Sequence, residues 1–300
     1  MSSDSVPVSI FKNINDNSWD YNYLFQLYEK LKNVSGVDVR FEFEGCRFLQ
    51  QNAVAFLGAL IRLLQKQHNT VFFALQSIAE PVRVNLEQNG FLYGLGLGGN
   101  PWDGNSIPYR EDTTYDVNDY TDYLSERWLG RGWINVSEQL KDHIITRIIE
   151  AYINVFDHAD SPIGVVTCGQ RYPNKGELKL ALVDFGVGIP FTVRTYLEQP
   201  NLSAQEALKW AFEPTKTTKD KGNFARGNGL KLLKSFIQEN HGKLEIYSDT
   251  GYVRIDATGD YFTDRQSGFK GTLVQVTLMC DETRYTLPGE EDHDSNEWFF

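Results

Sequence analysis

The most informative part of the sequence is Leu180-Ala181-Leu182-Val183-Asp184-Phe185-Gly186-Val187-Gly188. Its apolar run predicts a buried strand that carries Asp184 at its end and is followed by two glycines spaced by one residue. A carboxylate in this position accepts a hydrogen bond from an exocyclic amine such as that of adenine. The glycines allow the backbone to approach a flat ligand closely. A plain strand-to-turn junction has the same pattern, so the neighbouring segments are needed to choose between the two.

A polar stripe on a predicted helix, residues 136–158, is the second feature. At about 100° per residue, Glu150, Asn154 and Asp157 share one face of this helix, and His158 follows directly. The opposite face is apolar and contains Leu140, Ile145, Ile148, Ile149, Tyr152 and Phe156. A solvated helix face would give the same stripe. The stripe alone therefore leaves a functional and a structural interpretation open.

The third feature is a glycine-rich segment, Arg226-Gly227-Asn228-Gly229-Leu230, directly before a predicted helix at 229–240. Free amides in the first turn of a helix hold phosphate oxygens, helped by the helix dipole. An ordinary glycine-rich loop is the alternative. Residues 214–234 also carry six basic residues against one acid, although the whole chain has a net charge of −11. These basic residues are Lys216, Lys219, Lys221, Arg226, Lys231 and Lys234.

Two other glycine patterns are look-alikes. Residues 94–99 match the glycine spacing of a dinucleotide fingerprint, but Pro101-Trp102-Asp103-Gly104 follows where a helix is required. Residues 222–227 have the glycine spacing of a P-loop, but Asn228-Gly229 stands in place of its Lys-Ser/Thr. We assign neither pattern a function.

Alternating strands and helices predict an α/β protein with two domains. Strands at 37–43 and 70–75 and helices at 52–67 and 81–88 place the first domain at 1–93. Glycine and proline crowd 94–118, which predicts a linker. The second domain, 119–281, contains the long helix, strands at 163–168, 178–183, 243–247, 252–256 and 272–278, and the helix after the glycine segment. Residues 282–300 form an acidic C-terminal tail ending in Trp298-Phe299-Phe300.

Composition excludes several classes of protein. Hydrophobic residues make up 41% and charged residues 23% of the 300 residues, as in ordinary globular proteins. The acidic balance argues against a nucleic-acid surface. Cys46, Cys168 and Cys280 lack the spacing of a disulfide framework or a clustered zinc site. No secretory signal and no stretch long enough to cross a bilayer is visible, so we expect no membrane partner and a cytoplasmic location.

Taken in order, the three features resemble the ATP-binding domain of the gyrase, Hsp90, histidine kinase and MutL (GHKL) superfamily, and most closely its histidine-kinase and anti-sigma-factor-kinase branches. Glu150 to Asn154 resembles the N box, residues 184–188 the first glycine box and 227–229 the second. Residues 212–219, 241–248 and 271–272 are similar to further family segments. The resemblance covers 135–278 and implies a two-layer α/β sandwich of the Bergerat type.

The resemblance implies a role for each matching residue. Asn154 would bind Mg²⁺ and Glu150 would be the catalytic general base. Asp184 would bind adenine with support from Thr272 through water, and 191–226 would be a mobile lid. The remaining residues implied to bind ATP are Asp157, His158, Gly186, Gly188, Ile189, Lys216, Lys219, Arg226, Gly227, Asn228, Gly229 and Leu230. Lys231 departs from the family, which commonly has a further Gly or Ala after the Leu of the second box.

The N-terminal segment resembles a STAS domain of the anti-sigma antagonist type. Residues 41–48 and the helix at 52–64 are similar to the family's strand and phosphoacceptor helix, and 82–91 to its last helix. Phosphorylatable STAS domains carry Ser or Thr at the turn where this chain has Gln50-Gln51-Asn52. We therefore expect a docking role for this domain, without phosphorylation.

Two functions are compatible with these patterns. The first is an ATP-binding regulatory protein that uses Mg²⁺ and either hydrolyses ATP or transfers its γ-phosphate to Ser or Thr of a partner protein, of STAS type or another regulatory kind. The second is a nucleotide-gated interaction protein with little or no turnover, for which the acidic tail is either a docking peptide or, as the favoured alternative, a disordered terminus. No histidine has the flanking sequence of a sensor-kinase phosphorylation site. A homodimer is compatible with both functions.

Overall fold

A computed structural model describes residues 5–10, 12–213 and 226–290, without the side chains of 226–231. Its helices are α1 (Ser18–Leu31), α2 (Gln51–Lys66), α3 (Glu80–Gln88), α4 (Phe91–Gly94), α5 (Val117–Tyr123), α6 (Glu138–Asn154), α7 (Ile189–Leu197), α8 (Ala204–Ala211) and α9 (Arg226–Glu239). Its strands are β1 (Ser5–Ser9), β2 (Asp38–Glu42), β3 (Thr70–Phe73), β4 (Ser106–Asp112), β5 (Asn135–Val136), β6 (Val165–Tyr172), β7 (Glu177–Asp184), β8 (Lys243–Asp256), β9 (Gly259–Met279) and β10 (Arg284–Tyr285).

The N-terminal unit is a small parallel sheet covered by helices. Its strands are arranged in the order β1-β2-β3, with Val8 opposite Phe41 and Phe41 opposite Phe73. The N-terminus of α1 is capped by Asn17, whose side chain accepts hydrogen bonds from the Trp19 and Asp20 amides. Almost every residue of α2 up to Leu64 is buried, because this helix is covered on both sides.

A five-stranded sheet with the order β4-β6-β7-β9-β8 forms the larger part of the molecule. Each neighbouring pair in this sheet is antiparallel. The edge strand β4 contains Pro108, which lies where the pairing with β6 shifts register between Ile107 and Arg110. Proline is tolerated there because an edge strand with a bulge does not need its missing N–H donor.

Alternation along the strands gives the sheet two different faces. Leu178, Leu180 and Leu182 of β7 pack on the front face with α6 and α9. Ala181 and Val183 belong to the core on the back face, where α1 and α2 lie. Each strand therefore serves two cores, as the side-chain period of two requires. Helices on the front face of this sheet confirm the predicted α/β class and two-layer sandwich.

The N-terminal unit covers the back face through aromatic and polar contacts. Ring centroids of Tyr21 and Tyr247 lie 4.2 Å apart, and those of Phe25 and Phe269 lie 4.9 Å apart. The Lys179 ammonium donates to Asp16 at 2.5 Å and is 3% exposed. At the N-terminus of α2, the side-chain Nε2 of Gln51 donates to the side-chain Oε1 of Gln275 in β9 at 3.2 Å. The turn at 50–52 is thus buried against the back face.

The structure differs from the sequence predictions in several places. It adds β1, α1 and α5, and it joins the strands expected at 243–247 and 252–256 into the single strand β8. Residues 106–112, which we expected in the linker, form β4, so this part of 94–118 belongs to the sheet. The domain boundaries and the resemblance of the N-terminal unit to STAS domains stay predictions. Within the described ranges, the helices are too short or too polar to span a bilayer.

Candidate functional site

A cavity of about 370 Å³ lies between the front face of the sheet and the surrounding helices. Its floor is apolar and consists of strand residues such as Leu182, Ile246 and Val274. Its walls come from α6, the start of α7, the end of α8 and Leu233 of α9. An apolar floor with a few polar groups on its rim fits a flat organic ligand that carries a polar end.

Asp184 is the buried acid of this cavity. It is 4% exposed, and its Oδ1 accepts a hydrogen bond from the Gly186 amide at 2.8 Å. Burial raises the pKa of Asp184 from its ordinary 3.8 to about 7, against hydrogen bonds from Gly186 and Thr272 that lower it. The carboxyl therefore changes its protonation state near neutral pH, and it accepts hydrogen bonds in both states.

Strand register places Asp184, at the end of β7, in one row with Thr272 of β9 and Ser248 of β8. Asp184 pairs with Thr272 across β7 and β9, and Ser248 pairs with Thr272 across β8 and β9. The Ser248 and Thr272 hydroxyls are 3.1 Å apart. The strand register puts all three side chains on the front face, where they form a polar edge at one end of the cavity.

The glycine loop after β7 is fixed by contacts that leave no room for side chains. Gly188 has a φ of +82°, and a Cβ there would lie 2.9 Å from Ser248 Oγ. The Ser248 hydroxyl donates to the Gly271 carbonyl at 2.8 Å, and the Ile189 amide donates to Ser248 at 2.9 Å. A Cβ on Gly186 would lie 2.2 Å from the carbonyl oxygen of Ala159. The loop thus requires glycine at both positions.

The helix α6 supplies another wall of the cavity. Ser137 caps its N-terminus by accepting from the Leu140 amide at 3.2 Å. Glu150 and Asn154 line the cavity one turn apart, and His158 follows from a π-helical turn, Val155–Ala159. Such turns are frequent at functional sites. Here the turn presents the Ala159 carbonyl to the Val187 amide at 2.7 Å, which ties the wall to the glycine loop.

Many of the residues predicted from sequence come together. Seven of them line the cavity: Glu150, Asn154, His158, Asp184, Gly188, Ile189 and Thr272. Gly186, in the loop after β7, lies against Ala159 of the π-helical turn. Asp157 is exposed and does not line the cavity. Whether any of these residues binds ATP stays a prediction. Lys216 and Lys219 lie outside the described residues.

The second glycine segment differs from the expected loop. The helix α9 begins at Arg226, so Gly227, Asn228, Gly229 and Leu230 belong to its first turns and do not precede it. Glycine has no Cβ and adopts helical angles, so the amphipathic helix extends back through these positions. The first amides of this helix still have no partner within a helical turn.

The first part of the predicted lid is helical. Residues 191–213 form most of α7 and all of α8, and Ala207 and Leu208 of α8 are buried. The Leu208 side chain lies against Gly251 of β8, where a Cβ would approach its Cδ1 to 2.4 Å. Residues 191–213 are thus packed helices in this structure, and residues 214–225 of the predicted lid lie outside the described residues.

Sequence reasoning missed other residues of the cavity. Arg147, Thr192, Trp210, Phe212 and Glu213 line it, and Ser248 supports the glycine loop. The signal for Ser248 is its pairing with Thr272 across β8 and β9, which only the strand register reveals. Arg147 lies one turn before Glu150 on the polar stripe and was recognisable from helical spacing.

Comparison with known proteins gives little further information. No protein-family model matches the chain, and no curated protein matches it. Among solved structures, the histidine kinase domain of the blue-light activated histidine kinase from Erythrobacter litoralis EL346 is similar over 86% of this chain and 93% of that chain, with 14% identity. Its TM-score is 0.27, too low to carry an argument about fold or function.

Proposed function

We propose that this protein binds ATP with Mg²⁺ in the front-face cavity and is a regulatory protein of the GHKL class. It would hydrolyse ATP or transfer its γ-phosphate to Ser or Thr of a partner protein. The observation that supports this most strongly is the buried Asp184 at one end of an apolar cavity whose other wall carries Asn154 and Glu150. An adenine needs this combination, because its ring is apolar and its exocyclic amine requires a buried acceptor.

The donor set fits a magnesium ion that arrives with phosphate. Asn154 presents an amide oxygen, a hard donor suited to Mg²⁺, and it is exposed to the cavity. Within the described ranges, no three His, Cys, Asp or Glu side chains come together to hold a metal. The ion would therefore take its remaining ligands from water and phosphate, and it would neutralise the charge on the transferred phosphoryl group.

Glu150 would be the general base. It lies one helical turn from Asn154 on the same wall, so it would face the terminal phosphate when Asn154 is at the metal. A water molecule oriented by Glu150 gives hydrolysis, and a partner's hydroxyl in the same place gives transfer. The protein's own turn at 50–52 is buried on the back of the sheet, which favours an acceptor from another protein.

One observation favours the alternative, a nucleotide-gated interaction protein with little turnover. Arg147 donates to Glu150 at 2.6 Å, so the proposed base is already engaged in an ion pair. While this pair is formed, the Glu150 oxygen bound to the guanidinium is not free to accept a proton from a water or a hydroxyl. In this alternative, ATP binding would change the contacts of the protein with a partner or a second copy without consuming the nucleotide.

Incubation with γ-labelled ATP, alone and with proteins encoded beside the gene, separates these functions. Label on Ser or Thr of a partner establishes transfer, free phosphate establishes hydrolysis, and binding without either establishes the gated form. Glu150→Gln should retain ATP binding and lower turnover by about 10²–10⁴-fold. Glu138→Gln, in the exposed first turn of α6, is the matched control and should leave turnover unchanged. Absence of ATP binding by the wild type would refute the proposal.

A further inference from the structure

Arg147 is a cavity residue that the proposed function leaves without a role. Its side chain is 15% exposed, and its Nη1 donates to Glu150 at 2.6 Å. Its Nε is buried and has no hydrogen-bond partner in the structure. Since a buried donor without a partner is unfavourable, the guanidinium has unused capacity for an acceptor that is not part of the protein.

The charges of the described lining residues single out Arg147 as the group to receive an anionic acceptor. Among the lining residues that the structure describes, Arg147 is the one with a permanent positive charge. Glu150, Asp184 and Glu213 also line the cavity and would oppose an incoming anion. Arginine matches phosphate oxygens with two parallel hydrogen bonds, so it is suited to offset this opposition.

The position of Arg147 on α6 points to one end of the ligand. Arg147 lies seven residues before Asn154 on the same wall, roughly 10 Å along the helix axis at about 1.5 Å per residue. Asp184 lies at the opposite end, beyond Asn154 and next to the π-helical turn. A nucleotide with its base at Asp184 and its first phosphates near Asn154 would bring its last phosphate toward Arg147.

We propose, on the basis of the proposed function, that Arg147 binds the terminal phosphate of ATP. This phosphate replaces Glu150 as the hydrogen-bond partner of the guanidinium. The site then distinguishes ATP from ADP, because only the triphosphate reaches the guanidinium. The same exchange releases Glu150, so the proposed base becomes available only when the phosphate to be transferred is present. Arg147 thereby couples recognition of the nucleotide to activation of the base.

Calorimetric titration with MgATP and MgADP tests this assignment. Wild type should prefer ATP, and Arg147→Gln should lower the ATP affinity roughly tenfold or more while changing the ADP affinity less than about twofold. Arg147→Lys, which keeps the charge but loses the paired hydrogen bonds, should lie between the two. Arg83→Gln is the matched control, because Arg83 forms comparable ion pairs with Glu80 and Glu87 on α3, away from the cavity.

The outcomes separate this inference from the proposed function. If wild type binds neither nucleotide, the proposed function fails. If wild type binds ATP and Arg147→Gln binds both nucleotides as wild type does, or loses both equally, the role of Arg147 is overturned. Glu150→Gln gives a second measurement with Arg147 intact, and thermal melting monitors folding. Because Glu150→Gln removes the charge that competes for Arg147, it should retain or raise the ATP affinity. A fall in ATP affinity with unchanged ADP affinity would contradict the exchange of partners.

Discussion

The two faces of the five-stranded sheet are formed by the same strands but differ in what covers them. On the back face, Tyr247 and Phe269 pack against α1, and Lys179 is paired with Asp16 beneath the N-terminal unit. On the front face, Asp184 lies beside a cavity, and burial raises its pKa against the hydrogen bonds from Gly186 and Thr272 that lower it. The back face is closed by its partners, whereas the front face retains polar groups that a ligand could pair. This contrast suggests that stability is concentrated on one face and function on the other.

Phe185 connects the two faces. It follows Asp184 in the chain, but its ring is 5.0 Å from Tyr28 and 5.3 Å from Phe56, measured between centroids, on the helices of the back face. The glycine loop of the cavity is therefore anchored in the core beneath the N-terminal unit. A change in the packing of that unit has a direct route to the position of Asp184.

The largest effect on stability is expected from the back face. Lys179→Ala should lower the free energy of unfolding by about 3 kcal/mol, since it leaves the partly buried Asp16 and Glu177 without the cation that contacts both. Burial opposes ionisation of Asp16, and Lys179 with Lys243 holds its pKa below the ordinary value. Urea denaturation measures the change. Lys32→Ala, which breaks an exposed pair with Glu29, should cost less than about 1 kcal/mol. If the two variants lost similar free energies of unfolding, the claim that the ion pairs of Lys179 stabilise the back face would be wrong.

The front face should be recognisable from its pH dependence. Asp184 releases its proton near pH 3.8 when unfolded and near 7 when folded, so the folded protein holds more protons between these values. Its contribution to stability is present below pH 3.8 and is lost as the pH rises to about 7. The free energy of unfolding of wild type relative to Asp184→Asn should thus fall by about 1.4 kcal/mol per pH unit in this window. Parallel stability curves for the two proteins from pH 4 to 8 would show that Asp184 ionises normally.

A smaller effect should test the connection between the faces. Phe185→Leu and Phe56→Leu each remove a ring from the same aromatic cluster and should cost about 1–2 kcal/mol. Only Phe185 lies in the glycine loop, so only Phe185→Leu should also weaken ATP binding, by a few-fold. Urea denaturation and titration with ATP measure the two effects. Equal ATP affinities in both variants would show that the faces are independent.

The parts of the fold predicted from sequence are those with a strong local pattern. The apolar run before Asp184 and the periodicity of α2 and α6 identify their elements. The strand β4 was missed because Pro108 and polar residues conceal an edge strand whose pairing is set by β6. The helix α1 was missed although Tyr21, Leu24, Phe25, Tyr28 and Leu31 recur at helical spacing, so the signal was present and overlooked.

The candidate site shows the same division. Helical spacing places Glu150 and Asn154 on one face and the apolar run places Asp184 at a strand end, whereas their assignment to a site came from the family resemblance. Ser248 depends on strand register, and the Arg147–Glu150 ion pair depends on side-chain conformation, which a sequence pattern does not specify. The start of α9 was misjudged because glycines suggest a loop whether or not the following helix extends through them. Contacts across the sheet and the placement of the N-terminal unit over its back face join residues that are far apart in the sequence, so no local pattern predicts them.

Calorimetric titration of the wild type and Asp184→Asn with MgATP tests the central claim, that the front-face cavity is a nucleotide site with Asp184 as the acceptor for adenine. Wild type should bind one ATP per chain, and Asp184→Asn should bind it at least roughly tenfold more weakly while unfolding cooperatively in urea. ATP binding that is unchanged by Asp184→Asn, or no binding by a folded wild type, would contradict the account.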